Sequence, residues 1–156
     1  MITINSALPE GALQQRVNSE TITHDVATLF ANKTIVLFAV PGAFTPTCSA
    51  AHLPGYVANA DAFKAKGVDA VICLSVNDAF VMNAWGESQN AEQLMMLADG
   101  DGSFTTALGL SMATGFGGLR SQRYAMVVEN GIVKHLQVDK PKTFEVSKAE
   151  SILALL

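Results

Sequence analysis

Cys48 and Cys73 are the two thiols of the chain, and their settings differ. Cys48 follows a β-branched apolar run, Thr34–Val40, and a loop that contains Pro41, Gly42 and Pro46. It opens a stretch with helical periodicity. In open α/β sheets, ligands bind beyond the carboxyl ends of the strands. A cysteine in the first turn of a helix also meets backbone N–H groups with no intrahelical partner and the partial positive charge of that terminus. Both favour the thiolate, which is the nucleophilic form. Position alone leaves two readings open, a reactive thiolate and a small buried hydrophobe. Cys73 lies inside Val71-Ile72-Cys73-Leu74 and is expected at the centre of a buried strand as an inert thiol. A disulfide needs Cα atoms within about 7 Å, so a strand-centre cysteine would have to unfold considerably to reach Cys48.

The elements that must position these groups follow from the apolar pattern. Thr34–Val40 and Val68–Val76 read as strands buried on both faces, the signature of a parallel sheet. Between them a helix is expected from Cys48 to Lys66, kinked at Pro54-Gly55 and stopped by Gly67. Asp78 offers a cap for a helix from Ala79 to about Gln89. Met95–Leu97 reads as a third strand and Phe104–Leu108 as a short helix. Tyr124–Glu129 and Ile132–Val138 flank Asn130-Gly131, a strong hairpin signal. Met1–Ile4 is expected as a short strand and Ala12–Val17 as an edge strand. Thr23-His24-Asp25 offers capping side chains for a short helix over Val26–Phe30, and Val146–Leu156 is expected as a closing amphipathic helix. Ser111–Leu119, with three glycines, has no clear pattern. Strand–helix alternation followed by a hairpin and a final helix implies an α/β fold, a mixed central sheet flanked by helices, as in the thioredoxin-like arrangement.

Composition bounds the possibilities. The 156 residues fit one domain, taken as 1–156, on the usual scale of roughly 100–200 residues. Hydrophobic residues make up 49% and charged residues 15%, which excludes a mostly disordered chain. So few charges also suit a surface partly covered by a second copy. The net charge is −4 and no Lys/Arg cluster stands out, so no nucleic-acid partner is expected. The longest apolar run, Ile35–Val40, is far short of the ~20 residues of a membrane span. The N-terminus has no basic segment followed by an apolar core, so a cytoplasmic location and no membrane association are expected. No His/Cys pair has zinc-ligand spacing, and no metal site is expected.

The segment Val40-Pro41-Gly42-Ala43-Phe44-Thr45-Pro46-Thr47-Cys48-Ser49-Ala50-Ala51-His52-Leu53-Pro54-Gly55 resembles the active-site loop of the peroxiredoxins, most closely the type II, peroxiredoxin-five-like subfamily. The resemblance continues through Cys73–Phe80, Trp85-Gly86 and Arg123–Val128. It implies a thioredoxin-like fold and a thiol-dependent peroxidase that reduces hydrogen peroxide and organic hydroperoxides. Cys48 would be the attacking sulfur and become a sulfenic acid. Thr45 would turn its hydroxyl to the peroxide oxygens, or else cap the helix. Pro41 would shape the loop and shield the sulfur. Arg123 would stabilise the thiolate and the charge developing on oxygen. Arg120 and Phe44 are candidates for supporting or substrate contacts. His52, four residues beyond Cys48, shares its helical face. It would either hold the thiolate as an imidazolium or hydrogen-bond to backbone near the kink, and the second is preferred because Arg123 already supplies charge.

Some type II members carry a resolving cysteine near the C-terminus, and Lys142–Leu156 contains none. The resemblance then implies a one-Cys cycle recycled by glutathione, glutaredoxin or thioredoxin, with Cys73 a disfavoured resolving thiol. It implies no bound cofactor and a homodimer formed near the active-site loop, where Phe44, Phe80, Trp85 and Phe116 are close in sequence. A dithiol exchanger would need Cys-x-x-Cys at this junction, and here the first position is Thr45. Two other readings use the same residues: a redox sensor or holdase driven by oxidation of Cys48, and a non-catalytic module in which Cys48 is inert.

Overall fold

A computed structural model describes residues 1–115 and 117–156. Its centre is β3 (Thr34–Val40), in which every residue after Thr34 is buried. On one side β3 runs parallel to β4 (Ala70–Ser75), and β4 parallel to β5 (Met95–Ala98). On the other side β3 pairs antiparallel with β8 (Tyr124–Glu129), which returns as β9 (Ile132–Val138). With β1 (Ala12–Val17) and β2 (Glu20–Asp25), the sheet has seven strands in the order β2-β1-β5-β4-β3-β8-β9. The β8–β9 turn has Asn130 at φ 48° and Gly131 at φ 75°, the paired positive angles of a two-residue hairpin.

The pleat of β3 divides the core in two. Val36, Phe38 and Val40 point to one face. There they meet α2 (Leu53–Ala58), α3 (Ala60–Ala65), α4 (Ala79–Ser88) and α6 (Ala149–Leu153) through Leu53, Tyr56, Phe63, Trp85 and Ile152. Ile35, Leu37 and Ala39 point to the other. That face is covered by α1 (Val26–Phe30) and α5 (Ser103–Leu108) through Phe30, Phe104 and Leu108. Each large side chain buried this way stabilises the fold by roughly 1.5–3 kcal/mol. Asp25 and Asp78 cap α1 and α4 by accepting from the amides of Thr28 (3.1 Å) and Val81 (2.8 Å).

Several expectations are corrected. Met1–Ile4 forms no strand. The amide of Ile2 donates to the Leu108 carbonyl and that of Asn5 to Val133, with Asn5 at φ 71°, so the segment spends its hydrogen bonds on tethers rather than on a ladder. Ala12–Val17 is not the edge, because β2 pairs outside it. That strand is almost wholly exposed and presents no apolar alternation to read. The patternless segment contains β6 (Ser111–Thr114) paired with β7 (Gly118–Ser121).

The expected long helix is three pieces. Cys48–His52 is a π turn in which the amide of Leu53 donates to the Cys48 carbonyl, five residues back. Pro54 has no N–H to give the Ala50 carbonyl, and a wider turn is one way to absorb the missing bond. A second break, beyond the expected kink at Pro54-Gly55, falls at Asn59. Its side chain donates to the Gly55 carbonyl (2.7 Å), the bond that a continuing helix would leave to backbone alone. The last helix is only Ala149–Leu153, because residues 145–147 are held outside it by Asp139.

Candidate active site

Cys48 sits at the carboxyl end of β3, past the loop of residues 41–47, and is fully buried. The loop is held from several sides. The Asn77 side-chain oxygen Oδ1 accepts from the Ala43 amide (3.0 Å). The Thr45 hydroxyl donates to the Gly42 carbonyl (2.6 Å), closing a turn in which Phe44 takes φ 63°. On the far side the Trp85 indole N–H donates to the hydroxyl of Ser49, the neighbour of Cys48 (3.0 Å).

Arg123 reaches the sulfur from the residue before β8. Its Nη2 lies 3.3 Å from Cys48 Sγ, and its Nη1 lies 2.9 Å from His52 Nδ1. The planar fork of a guanidinium can serve both at once. The other imidazole nitrogen, Nε2, lies 3.1 Å from the Ser147 carbonyl. These partners fix the tautomer. A carbonyl can only accept, so Nε2 carries the proton, and a guanidinium can only donate, so Nδ1 is bare. The ring is packed among Phe38, Tyr56 and Phe144, with centroids 5.0, 5.7 and 5.0 Å away. Burial, and next the Arg123 charge, push His52 down to about 3. His52 is therefore neutral at physiological pH. The imidazolium reading is corrected, and the backbone hydrogen bond is observed.

Above this layer lies a cavity of about 390 Å³ lined by Pro41, Thr45, Arg123 and the Lys140–Thr143 turn, among others. Three of the four principal candidates, Pro41, Thr45 and Arg123, thus face one space, and the fourth, Cys48, lies beneath it in contact with Arg123. The Redoxin family model matches residues 3–153. The chain is 42% identical to Peroxiredoxin-2D of Arabidopsis thaliana, covering 99% of this chain and 98% of that one. It is 45% identical to the chloroplastic Peroxiredoxin-2E-2 of Oryza sativa subsp. japonica, covering 99% and 72%. The crystal structure of reduced Prx3 in complex with hydrogen peroxide from Vibrio vulnificus superposes with a TM-score of 0.97 at 62% identity over 99% of both chains. The chain is a type II peroxiredoxin. Its fold is thioredoxin-like, and its activity is that of a thiol peroxidase.

Other candidates of this peroxiredoxin fall elsewhere. Phe44 is 58% exposed, lies outside the cavity lining and leans toward Trp85 at 6.5 Å between centroids. Trp85 in turn holds Ser49, so Phe44 sits on the supporting side of the loop. Arg120 donates from Nε to the Gly117 carbonyl and from Nη1 to the Val76 carbonyl, tying the β6–β7 hairpin to the end of β4. Thr45 makes the turn bond to Gly42 rather than a helix cap. Cys73 is fully buried in mid-β4, where burial, with Cys48 as the lesser cause, pushes its thiol up. Both cysteines are free. Phe116 lies outside the described residues.

Sequence reasoning missed the layer behind His52. Asp139 is buried, and its carboxylate accepts from the amides of Glu145 (2.9 Å), Val146 (2.8 Å) and Ser147 (3.3 Å) and from the Ser147 hydroxyl. This cage aims the Ser147 carbonyl at His52 Nε2 and at the Tyr56 hydroxyl (2.7 Å). Only the placement of an acid shortly before Pro141 hinted at it. Asp139→Ala leaves several buried donors unpaired, so it is expected to destabilise the fold by about 3 kcal/mol. A urea midpoint equal to wild type would contradict the cage's importance.

Proposed function

We propose that Cys48 is the peroxidatic thiolate and that Arg123, Thr45 and Pro41 complete its site. The observation that carries this reading is the 3.3 Å approach of Arg123 Nη2 to Cys48 Sγ beneath the cavity. A guanidinium there favours the thiolate and meets the charge that grows on the departing oxygen. The proton of the Thr45 hydroxyl is engaged by Gly42, so its lone pairs are left to accept the O–H of a peroxide. Pro41 walls the cavity and limits water at the sulfur.

The thiolate attacks the terminal oxygen of the peroxide. One S–O bond forms and the O–O bond breaks. The second oxygen leaves with the bonding electrons as hydroxide or alkoxide and takes a proton to become water or an alcohol. Sulfur ends as a sulfenic acid, two electrons poorer. A thiol donor then attacks that sulfur, releasing water and forming a mixed disulfide, and a second thiol restores Cys48. Burial of Cys73 in mid-strand supports a one-Cys cycle with glutathione, glutaredoxin or thioredoxin as donor. The exposed rings of Phe44, in the loop, and Phe80, at the start of α4, support a homodimer. The free cysteines suit a cytoplasmic, reducing setting. Among the described residues, no helix is long and apolar enough to cross a membrane.

The test is peroxide consumption by wild type, Cys48→Ser and Cys73→Ser, with glutathione plus glutaredoxin and separately with thioredoxin plus its reductase. Turnover is expected to vanish in Cys48→Ser and persist in Cys73→Ser. Loss in a correctly folded Cys73→Ser would make Cys73 a resolving thiol. A single oxidation of Cys48 that no donor reverses would replace the enzyme reading with a sensor.

A further inference from the structure

The cavity over Cys48 is far larger than hydrogen peroxide requires. Its volume is about 390 Å³. A water molecule claims about 30 Å³, so a molecule with one more oxygen leaves most of the space unused. The volume falls in the range of sites for organic ligands, about 300–1,000 Å³. Its walls include the apolar surfaces of Pro41, Pro46, Met112 and Pro141. Its rim carries two exposed cations, Lys140 and Lys142, in a chain whose net charge is −4. Among the described residues Asp139 is the only carboxylate in the lining, and the amides of residues 145–147 occupy its oxygens. Among the described residues neither lysine has an ion-pair partner.

The turn that presents these lysines is well defined. The Thr143 amide and hydroxyl both donate to the Lys140 carbonyl, at 3.0 and 2.7 Å. Pro41 and Pro141 face the same space. Pro141 takes the second position of the turn and Lys142 the third, at φ 63°. Glycine or asparagine is the usual occupant of that third position. Here a lysine holds it at the mouth of the site.

We infer that this cavity selects hydroperoxides carried on an apolar chain that ends in a carboxylate. The chain lies on the proline and methionine walls, and the carboxylate meets Lys140 and Lys142. The inference rests on Cys48 being the peroxidatic sulfur. The reaction is the one above: sulfur takes the terminal oxygen, and the chain leaves as an alkoxide that is protonated to the alcohol.

The experiment measures Cys48 oxidation alone, with no reductant, by stopped-flow fluorescence of Trp85, the single tryptophan. The probes are linoleic acid hydroperoxide and its methyl ester, each below its micellar concentration. The acid is expected to react about tenfold faster than the ester at low salt, with the gap closing as ionic strength rises. In the Lys140→Gln/Lys142→Gln double variant the acid-to-ester ratio should fall to near one, and in Lys142→Glu it should invert. Equal rates for acid and ester in wild type would overturn the inference, whether or not the variants fold. So would a double variant that keeps the wild-type ratio. A double variant slowed only when oxidised Cys48 is reduced by glutathione would also overturn it and assign the rim to the donor. If hydrogen peroxide itself fails to oxidise Cys48 in wild type, the underlying reading fails instead, so the two failures are distinguishable.

Discussion

Arg123→Met is expected to slow oxidation of Cys48 by hydrogen peroxide by about 10²–10³-fold, the scale of losing one preorganised donor aimed at developing charge. The guanidinium lies against the sulfur, with Nη2 3.3 Å from Sγ. Its geometry is fixed elsewhere: Nη1 is held by His52 at 2.9 Å, and the group lies 5.7 Å from the Phe144 ring centroid. A donor already oriented in the resting enzyme costs no reorganisation as the O–O bond breaks. Arg123→Lys should recover little. An ammonium is a point charge without the fork that spans Sγ and Nδ1 together. Stopped-flow oxidation at several peroxide concentrations reads the effect directly. Retention of the wild-type rate by Arg123→Met would remove Arg123 from the chemistry, whatever its distance from the sulfur.

What was legible in the sequence tracks how local the cause is. Thr34–Val40 declares itself as a central strand because its neighbours on both sides and both helical layers demand apolar residues. Asn130-Gly131 declares a turn because few other residues accept two positive φ angles in succession. Cys48, Thr45 and Pro41 stand in one contiguous loop, and Arg123 is reached only through its place in a resemblance that spans the chain. Glu20–Asp25 was invisible because its pairing is made by backbone, with no apolar face to mark it. The Asp139 cage was invisible for another reason. It joins β9 to residues 145–147 and then, through the Ser147 carbonyl, to His52 and Tyr56 some ninety positions away. No spacing rule connects such residues. His52 shows both sides of this. Its position on the face of Cys48 was readable, but its protonation state was not, because that depends on a desolvated pocket assembled from Phe38, Tyr56 and Phe144.

That protonation state makes the protein sensitive to acid, and the direction follows from the shift. The folded His52 is held down to about 3, against about 6.5 for an unperturbed imidazole. Above pH ~6.5 the group is neutral in both folded and unfolded chains and has no effect on their balance. Between about pH 6.5 and 3 the unfolded chain binds a proton that the folded chain excludes, so stability falls as pH falls. One proton corresponds to about 1.4 kcal/mol per pH unit, so going from pH 7 to 4.5 should cost about 2–3 kcal/mol from this residue. His24, also lowered by partial burial and by Lys33, adds a share in the same direction. Substitution separates the two. His52→Gln keeps an oxygen that can accept from Arg123 and an amide that can donate to Ser147, yet it cannot titrate. The loss of urea midpoint between pH 7 and 4.5 should therefore be smaller in His52→Gln than in wild type. An identical loss in both proteins would mean that His52 takes up its proton in the folded state, at the expense of its bond from Arg123, and the fixed tautomer that orients the guanidinium would have to be abandoned.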